Sequence, residues 1–162
     1  MNAHTAVLDE SRAAAAERTR TRLFVVLLGA AAFAALDQWV KVVFVTPDWA
    51  YHHRSGTWFL GSSVLFVAMA FLALLPSVAV ALGASLFAGG LLGNMISAGA
   101  DHSTVPNPLL LGSHYGVAFN VADVCILGGN VILMVACSAL AIQNRARLDA
   151  WQAAALARIT RR

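Results

Sequence analysis

Four long apolar runs decide what this chain can become. They cover 23–45, 58–75, 77–96 and 121–142, and each is about 18–23 residues long, the length a helix needs to cross a hydrocarbon core roughly 30 Å thick. The runs are continuous rather than alternating, so they do not read as half-buried strands. In lipid only helices and closed barrels satisfy their own backbone. Strands are therefore not expected, and the sequence predicts an all-α integral membrane protein with four transmembrane helices. The composition agrees: 59% of the residues are hydrophobic and 12% charged, far from the balance of a water-soluble domain. Pro76 separates the second and third runs and predicts a helical hairpin with a very short turn.

The basic residues orient the spans. Arg12, Arg18, Arg20 and Arg22 precede the first run, and Arg145, Arg147, Arg158, Arg161 and Arg162 follow the fourth. Arg54 lies between spans and Lys41 within the first. Four spans put both termini on one side, and the excess of arginine makes that side cytoplasmic. Loops 46–57 and 97–120 are then the two extracytoplasmic loops. The expected organisation is a basic leader at 1–22, a membrane domain at 23–142 and a basic tail at 143–162. The net charge of +3 is thus a topology signal. A nucleic-acid surface would need a basic groove with interleaved aromatics, which the sequence lacks. The first run is too long, and preceded by too much polar chain, for a cleavable signal peptide. The leader, with Ala13–Ala16 between charges, is expected to be partly ordered as a helix on the inner leaflet.

Polar residues inside or beside the runs are the candidates for function, because intramembrane charge is costly. Asp37 and Lys41 are four apart and share a helix face. They can form a self-neutralising pair, or line a polar site facing the other helices. Ser85, Gly89 and Gly93 recur at four-residue intervals and predict a close helix-packing face. Asn94 follows at the outer boundary, where it can cap a helix or line a site. Asn120 and Asp123 open the fourth run, and helix-start chemistry alone would explain both. Asn130, deeper in that run, is expected to hydrogen-bond to a neighbouring helix.

In the first outer loop Trp49, Tyr51 and Trp58 suit an interfacial aromatic belt. The adjacent His52 and His53 read as interfacial polar residues, and Arg54 is placed to meet lipid phosphate. In the second, Pro106 and Pro108 flank Asn107, which predicts an extended segment. Leu109–Leu111 beside it can dip into the bilayer surface, and Asp101, His102, His114 and Tyr115 are the loop's other polar residues. Cys125 and Cys137 have no metal-type spacing and read as small buried hydrophobes. No metal and no cofactor is expected.

Three short motifs in order carry a family resemblance. Leu36-Asp37-Gln38 with Lys41, Gly90-Leu91-Leu92-Gly93-Asn94 and Phe119-Asn120-Val121-Ala122-Asp123 resemble the first-span, third-span and last motifs of the lipoprotein signal peptidases (signal peptidase II). The resemblance covers most of the chain. It implies a multi-pass protein of a bacterial-type cytoplasmic membrane, with its site on the extracytoplasmic side. It also implies aspartic endopeptidase activity that removes signal peptides from lipid-modified prolipoproteins, using water and no cofactor. Asp123 takes the place of one catalytic aspartate. Asp37, Lys41, Asn94 and Asn120 match motif positions and are the candidate substrate-binding residues.

The chain departs from the family pattern at defined places. Where the family has an x-x-Asp-Arg continuation after Gly-Asn, this chain has Ser97 and Ala98. Where the family's other catalytic aspartate is expected, in a Val-x-Asp-Phe motif, this chain reads Val105-Pro106-Asn107-Pro108. An aspartic protease needs two carboxylates sharing one proton, and an asparagine can donate a hydrogen bond but cannot exchange that proton. Asp101 is the other acid in the loop and the conceivable substitute. Two functions follow on equal terms: a divergent active peptidase centred on Asp123 with Asn107 or Asp101, or a non-catalytic relative that binds lipidated peptide, lipid or a membrane partner. A small assembly or transport subunit is the less favoured third.

Overall fold

The computed structural model describes residues 3–112 and 116–159; His114, Tyr115, Arg161 and Arg162 lie outside the described residues. Helices α1 (Ala3–Val43), α2 (Gly56–Leu72), α3 (Val78–Ala100), α4 (Val121–Gln143) and α5 (Arg145–Ile159) carry most of the chain. By length and composition α1 from Asp9 onward, α3 and α4 can cross a membrane. The second apolar run ends sooner than its composition predicts. At 17 residues, α2 covers about 25 Å, because the amides of Ala73, Leu74 and Leu75 turn back onto Ala70, Phe71 and Leu72. These tight turns close the helix ahead of Pro76, whose nitrogen has no proton to continue it.

The leader is not a separate segment. It and the first apolar run form one 41-residue helix, uninterrupted by proline and rich in alanine, the strongest helix former. At its junction with the apolar run, the Arg22 side chain donates to the carbonyl of Ala73 at 3.0 Å and to Thr19 Oγ1 at 3.1 Å. It thereby satisfies a carbonyl at the end of α2. Beyond Asn144, the basic tail continues as α5.

The expectation of no strands holds for the apolar runs and fails for the connections. Strand β1 (Tyr51–His53) pairs antiparallel with β2 (Thr104–Pro106), and β3 (Leu109–Leu111) with β4 (Val117–Phe119). The proline-flanked segment is extended as expected. It pairs because its partner is supplied by the other loop, a non-local contact that periodicity cannot reveal. The Asn107 amide continues the register by donating to the Ala50 carbonyl at 3.1 Å. Helix α3 ends just before β2 in two residues with positive φ, His102 at 44° and Ser103 at 68°. There the Ser103 amide reaches back to the Ala98 carbonyl, and the Ser103 carbonyl accepts from the Arg54 amide. The two loops are thereby stitched together.

Helix α3 is central, packed against α1 on one side and α4 on the other, with α2 alongside. Small residues make this possible. On α1, Val26, Ala30, Ala34 and Asp37 form a buried stripe. Facing it, Ser85 donates to the Val25 carbonyl at 3.1 Å, and a Cβ on Gly89 would stand 2.6 Å from that of Phe33. On α4, Ala122, Cys125, Gly129, Leu133 and Ala136 are buried. At the end remote from the strands, Val26, Ala73, Val80, Ala81, Ala84, Leu133 and Ala136 form an apolar cluster. Asn130 departs from expectation: it is exposed on the outer face of α4 rather than turned toward a neighbouring helix.

Candidate functional site

Where the helix bundle meets the strands, the core turns polar. Asp37, Asn94, Ser97, Asn107 and Asn120 are all buried, and Asp123 is half-buried beside them. They come from four stretches of chain. The last buried turn of α1 supplies Asp37, with Gln38 and Lys41. Gly93, Asn94 and Ser97 lie on the last turns of α3. Asn107 follows β2, and Asn120 and Asp123 begin α4.

The ion pair is the foundation. Lys41 Nζ lies 2.6 Å from Asp37 Oδ2, with side-chain exposures of 4% and 0%. Such burial strips both charges of water and is tolerated only when the remaining hydrogen-bonding capacity is filled. Here it is filled. The other Asp37 oxygen, Oδ1, accepts from the amide of Ala122 at 2.8 Å, an N–H of the first turn of α4 that has no partner within its own helix. Lys41 has three donors; besides Asp37 they meet Asn94 Oδ1 and Ser97 Oγ, each at 3.0 Å. Gln38 Nε2 adds bonds to the Gly93 carbonyl at 2.8 Å and to Ser97 Oγ at 3.1 Å. Gly93 is required by this approach, because a Cβ there would stand 2.7 Å from Asp37 Oδ2. The pair therefore both faces the other helices and neutralises itself, joining the two sequence readings.

Asn94 connects this pair to α4. Its oxygen accepts from Lys41 and from Asn120 Nδ2 at 3.0 Å, while its Nδ2 donates to Asp123 Oδ1 at 3.1 Å. Asn120 caps α4 in a reciprocal box: its Oδ1 accepts from the Asp123 amide at 2.9 Å, and its own amide donates to Asp123 Oδ2 at 3.2 Å. The helix-start account of these two residues is thus correct, and it coexists with a second set of contacts. Asn120 Nδ2 also donates to Asn107 Oδ1 at 2.7 Å. Asp123 is close enough to Lys41 to attract it, and Arg54 is close enough to repel it.

Asn107 is held at both ends. Its oxygen accepts from Asn120, and its Nδ2 meets His52 Nδ1 at 3.0 Å. His52, read from sequence as an interfacial residue, thus joins the cluster through the β1–β2 pairing. Asp101 goes elsewhere: it is exposed at the end of α3, where its Oδ2 accepts from Thr104 Oγ1 at 2.6 Å. His53 is exposed as well. The Arg54 guanidinium lies over the Trp58 ring, 5.1 Å from its centre, a stacked arrangement that arginine favours. Among the described residues no group of three His, Cys, Asp or Glu could hold a metal.

Sequence reasoning overlooked three members of this cluster. Gln38 sits within the first motif, where the charges of Asp37 and Lys41 are the stronger signal. Ser97 occupies a motif position, but its role depends on lying one turn after Gly93, facing Lys41. No local feature distinguishes His52 from His53; only the strand register does. Chemically, the assembled site offers one carboxylate with partial solvent access, Asp123. Around it are amides, and beneath it is an ion pair whose hydrogen-bonding groups are engaged.

No protein-family model matches the sequence, and neither does any curated protein. Solved structures do resemble the fold. One, described as a bacterial membrane enzyme determined by the in meso method, superposes with a TM-score of 0.55 at 18% identity, covering 69% of this chain and 91% of that one. A second, described in the same words, gives a TM-score of 0.56 at 16% identity over 75% of this chain and 90% of that one. This chain therefore shares the fold of bacterial membrane enzymes.

Proposed function

We propose that this chain is a signal peptidase II-like protein of a bacterial cytoplasmic membrane that holds a lipid-modified signal peptide without cleaving it. On this reading it crosses the membrane four times, with α2 as the short span. Both termini are cytoplasmic, and the strand-bearing end faces outward. The observation that carries the reading is the environment of Asn107. By the resemblance it stands at the family's second aspartate position. Its side chain bonds to Asn120, to His52 and to the Ala118 carbonyl. The other carboxylate of the cluster among the described residues, Asp37, is committed to Lys41 and the Ala122 amide rather than to sharing a proton with Asp123. General acid–base cleavage needs a group that takes a proton from water and another that polarises the carbonyl. Asp123 can do the first and, once protonated, can give that proton to the leaving amine. An amide can approximate the second only by donating a hydrogen bond, so the protonated acid of an aspartic pair has no counterpart at Asn107. An extended peptide is accommodated in such a site by hydrogen bonds to Asp123 and to the strand edges, with its lipid against the exposed apolar faces of the helices.

The partial exposure of Asp123 favours one competing reading, a slow peptidase with that residue as sole base. One experiment separates the two. A diacylglyceryl-modified precursor is presented to the purified protein in lipid, and binding and cleavage are followed together. The proposal expects retention without cleavage by the wild type, weakened by Asn94→Ala and by Asp123→Ala. Asn107→Asp should introduce measurable cleavage. Cleavage by the wild type that disappears in Asp123→Asn would establish the competing reading. Equal retention by wild type, Asn94→Ala and Asp123→Ala would sink the binding proposal.

A further inference from the structure

We propose that α4 carries a self-association seam through which two copies of this chain pair in the membrane, the Asn130 side chains hydrogen-bonding across a two-fold axis. The inference is independent of what the strand-bearing end binds.

It begins with an inconsistency among asparagines. Asn94, Asn107, Asn120 and Asn144 all hydrogen-bond within the chain. Asn130 has no side-chain hydrogen bond among the described residues and is exposed. It lies nine residues into the 23-residue α4, about 13 Å from the start of the helix, at mid-membrane depth. An amide carries two N–H donors and a carbonyl acceptor, and acyl chains satisfy none of them. A lipid coat is therefore a poor occupant of this face.

The surroundings indicate what does occupy it. Leu127, Asn130, Met134, Cys137 and Ala141 follow one another at alternating intervals of three and four, the spacing of a helix–helix seam. Leu127 and Met134 are 67% and 65% exposed. The seam continues through Cys137, half-buried at the edge where it packs against the apolar core cluster, to the exposed Ala141; both are small residues that let helices approach closely. Copies of one protein insert in the same direction, so their α4 helices run parallel. A two-fold axis along the membrane normal then sets each seam residue against itself. An amide is complementary to another amide, each donating to the other's oxygen, so the symmetric pair removes the unmet groups of both copies at once. A single polar residue in an otherwise apolar seam also fixes its register.

The test uses the full chain in vesicles. Copies labelled at the C-terminus with a donor or an acceptor fluorophore are mixed, and energy transfer is read as lipid dilutes them. The wild type is expected to pair. Asn130→Leu, a change on an exposed face, is expected to keep the thermal midpoint and to weaken pairing about fivefold or more. Asn130→Gln should retain it. Cys137, two turns further along the seam, provides a second readout. Copper-phenanthroline should give a disulfide-linked dimer in the wild type, less of it in Asn130→Leu, and none in Cys137→Ser. Energy transfer no greater than dilution predicts for the wild type, or unchanged by Asn130→Leu, would overturn the proposal. So would isolation of the wild type as one copy bound to a different membrane protein.

Discussion

Asp37 and Asp123 belong to one connected cluster but live in opposite conditions. Asp37 is sealed between α1, α3 and α4, and each of its oxygens is engaged: one by the Ala122 amide, the other by Lys41. Asp123 is tied by one donor at each oxygen and keeps partial access to the outside. The first carboxylate has the geometry of a structural clamp, because nothing can reach it without dismantling three helix contacts. The second has the geometry of a ligand-facing group, because it is positioned yet still open. Proximity to a polar cluster therefore does not assign a role. What distinguishes the two acids is how much bonding capacity the fold leaves unused.

Removing the clamp should have the largest consequence. Lys41→Met leaves Asp37 charged, buried and unpaired, and is expected to destabilise the protein by about 3–5 kcal/mol, read as thermal or denaturant unfolding in detergent. Combining it with Asp37→Leu removes both charges and should restore much of that loss; a double variant as unstable as Lys41→Met would break the comparison. Asn94→Ala comes next. It deprives Lys41, Asn120 and Asp123 of a partner in a buried setting, and an expected loss of about 1–3 kcal/mol is measured in the same way. Gly93→Ala forces a methyl group against Asp37 Oδ2 and should cost about 1–3 kcal/mol, read in the same unfolding measurement. Asp123→Asn should have the smallest effect on stability, about 0.3–1 kcal/mol from the lost attraction to the helix dipole. Its effect on retention of a lipidated peptide should be the larger one. A loss above about 3 kcal/mol, the range expected for the sealed pair, would mean that Asp123 is as structural as Asp37.

Much of the scaffold was legible because its causes are local. Apolar runs 77–96 and 121–142 became α3 and α4, since long continuous hydrophobic segments have few alternatives in lipid. Ser85, Gly89 and Gly93 became a packing face because small residues at four-residue spacing leave room for a neighbour. Asn120 and Asp123 followed from capping rules alone. The parts that were not legible depend on distant chain. The length of α2 is set by turns ahead of Pro76 and by a carbonyl satisfied from Arg22. The strands exist because two loops meet, and their register alone places His52, rather than His53, beside Asn107. The general behaviour of amides in lipid predicts that Asn130 faces a neighbouring helix, yet it is exposed. Which side of α4 faces its neighbours is set by Gly83 and Gly90 of α3, which stand against its inner face.

The unbroken α1 helix has a mechanical consequence. Its 41 residues make a rod about 60 Å long, roughly twice the hydrocarbon thickness. Asp37 and Lys41 near one end and the Arg22 contact near the middle prevent the rod from rolling about its own axis. The segment from Ala3 to Thr21 is thereby held at a fixed azimuth. Whatever meets Arg12, Arg18 or Arg20 does so from a direction chosen by an ion pair buried at the opposite end of the helix.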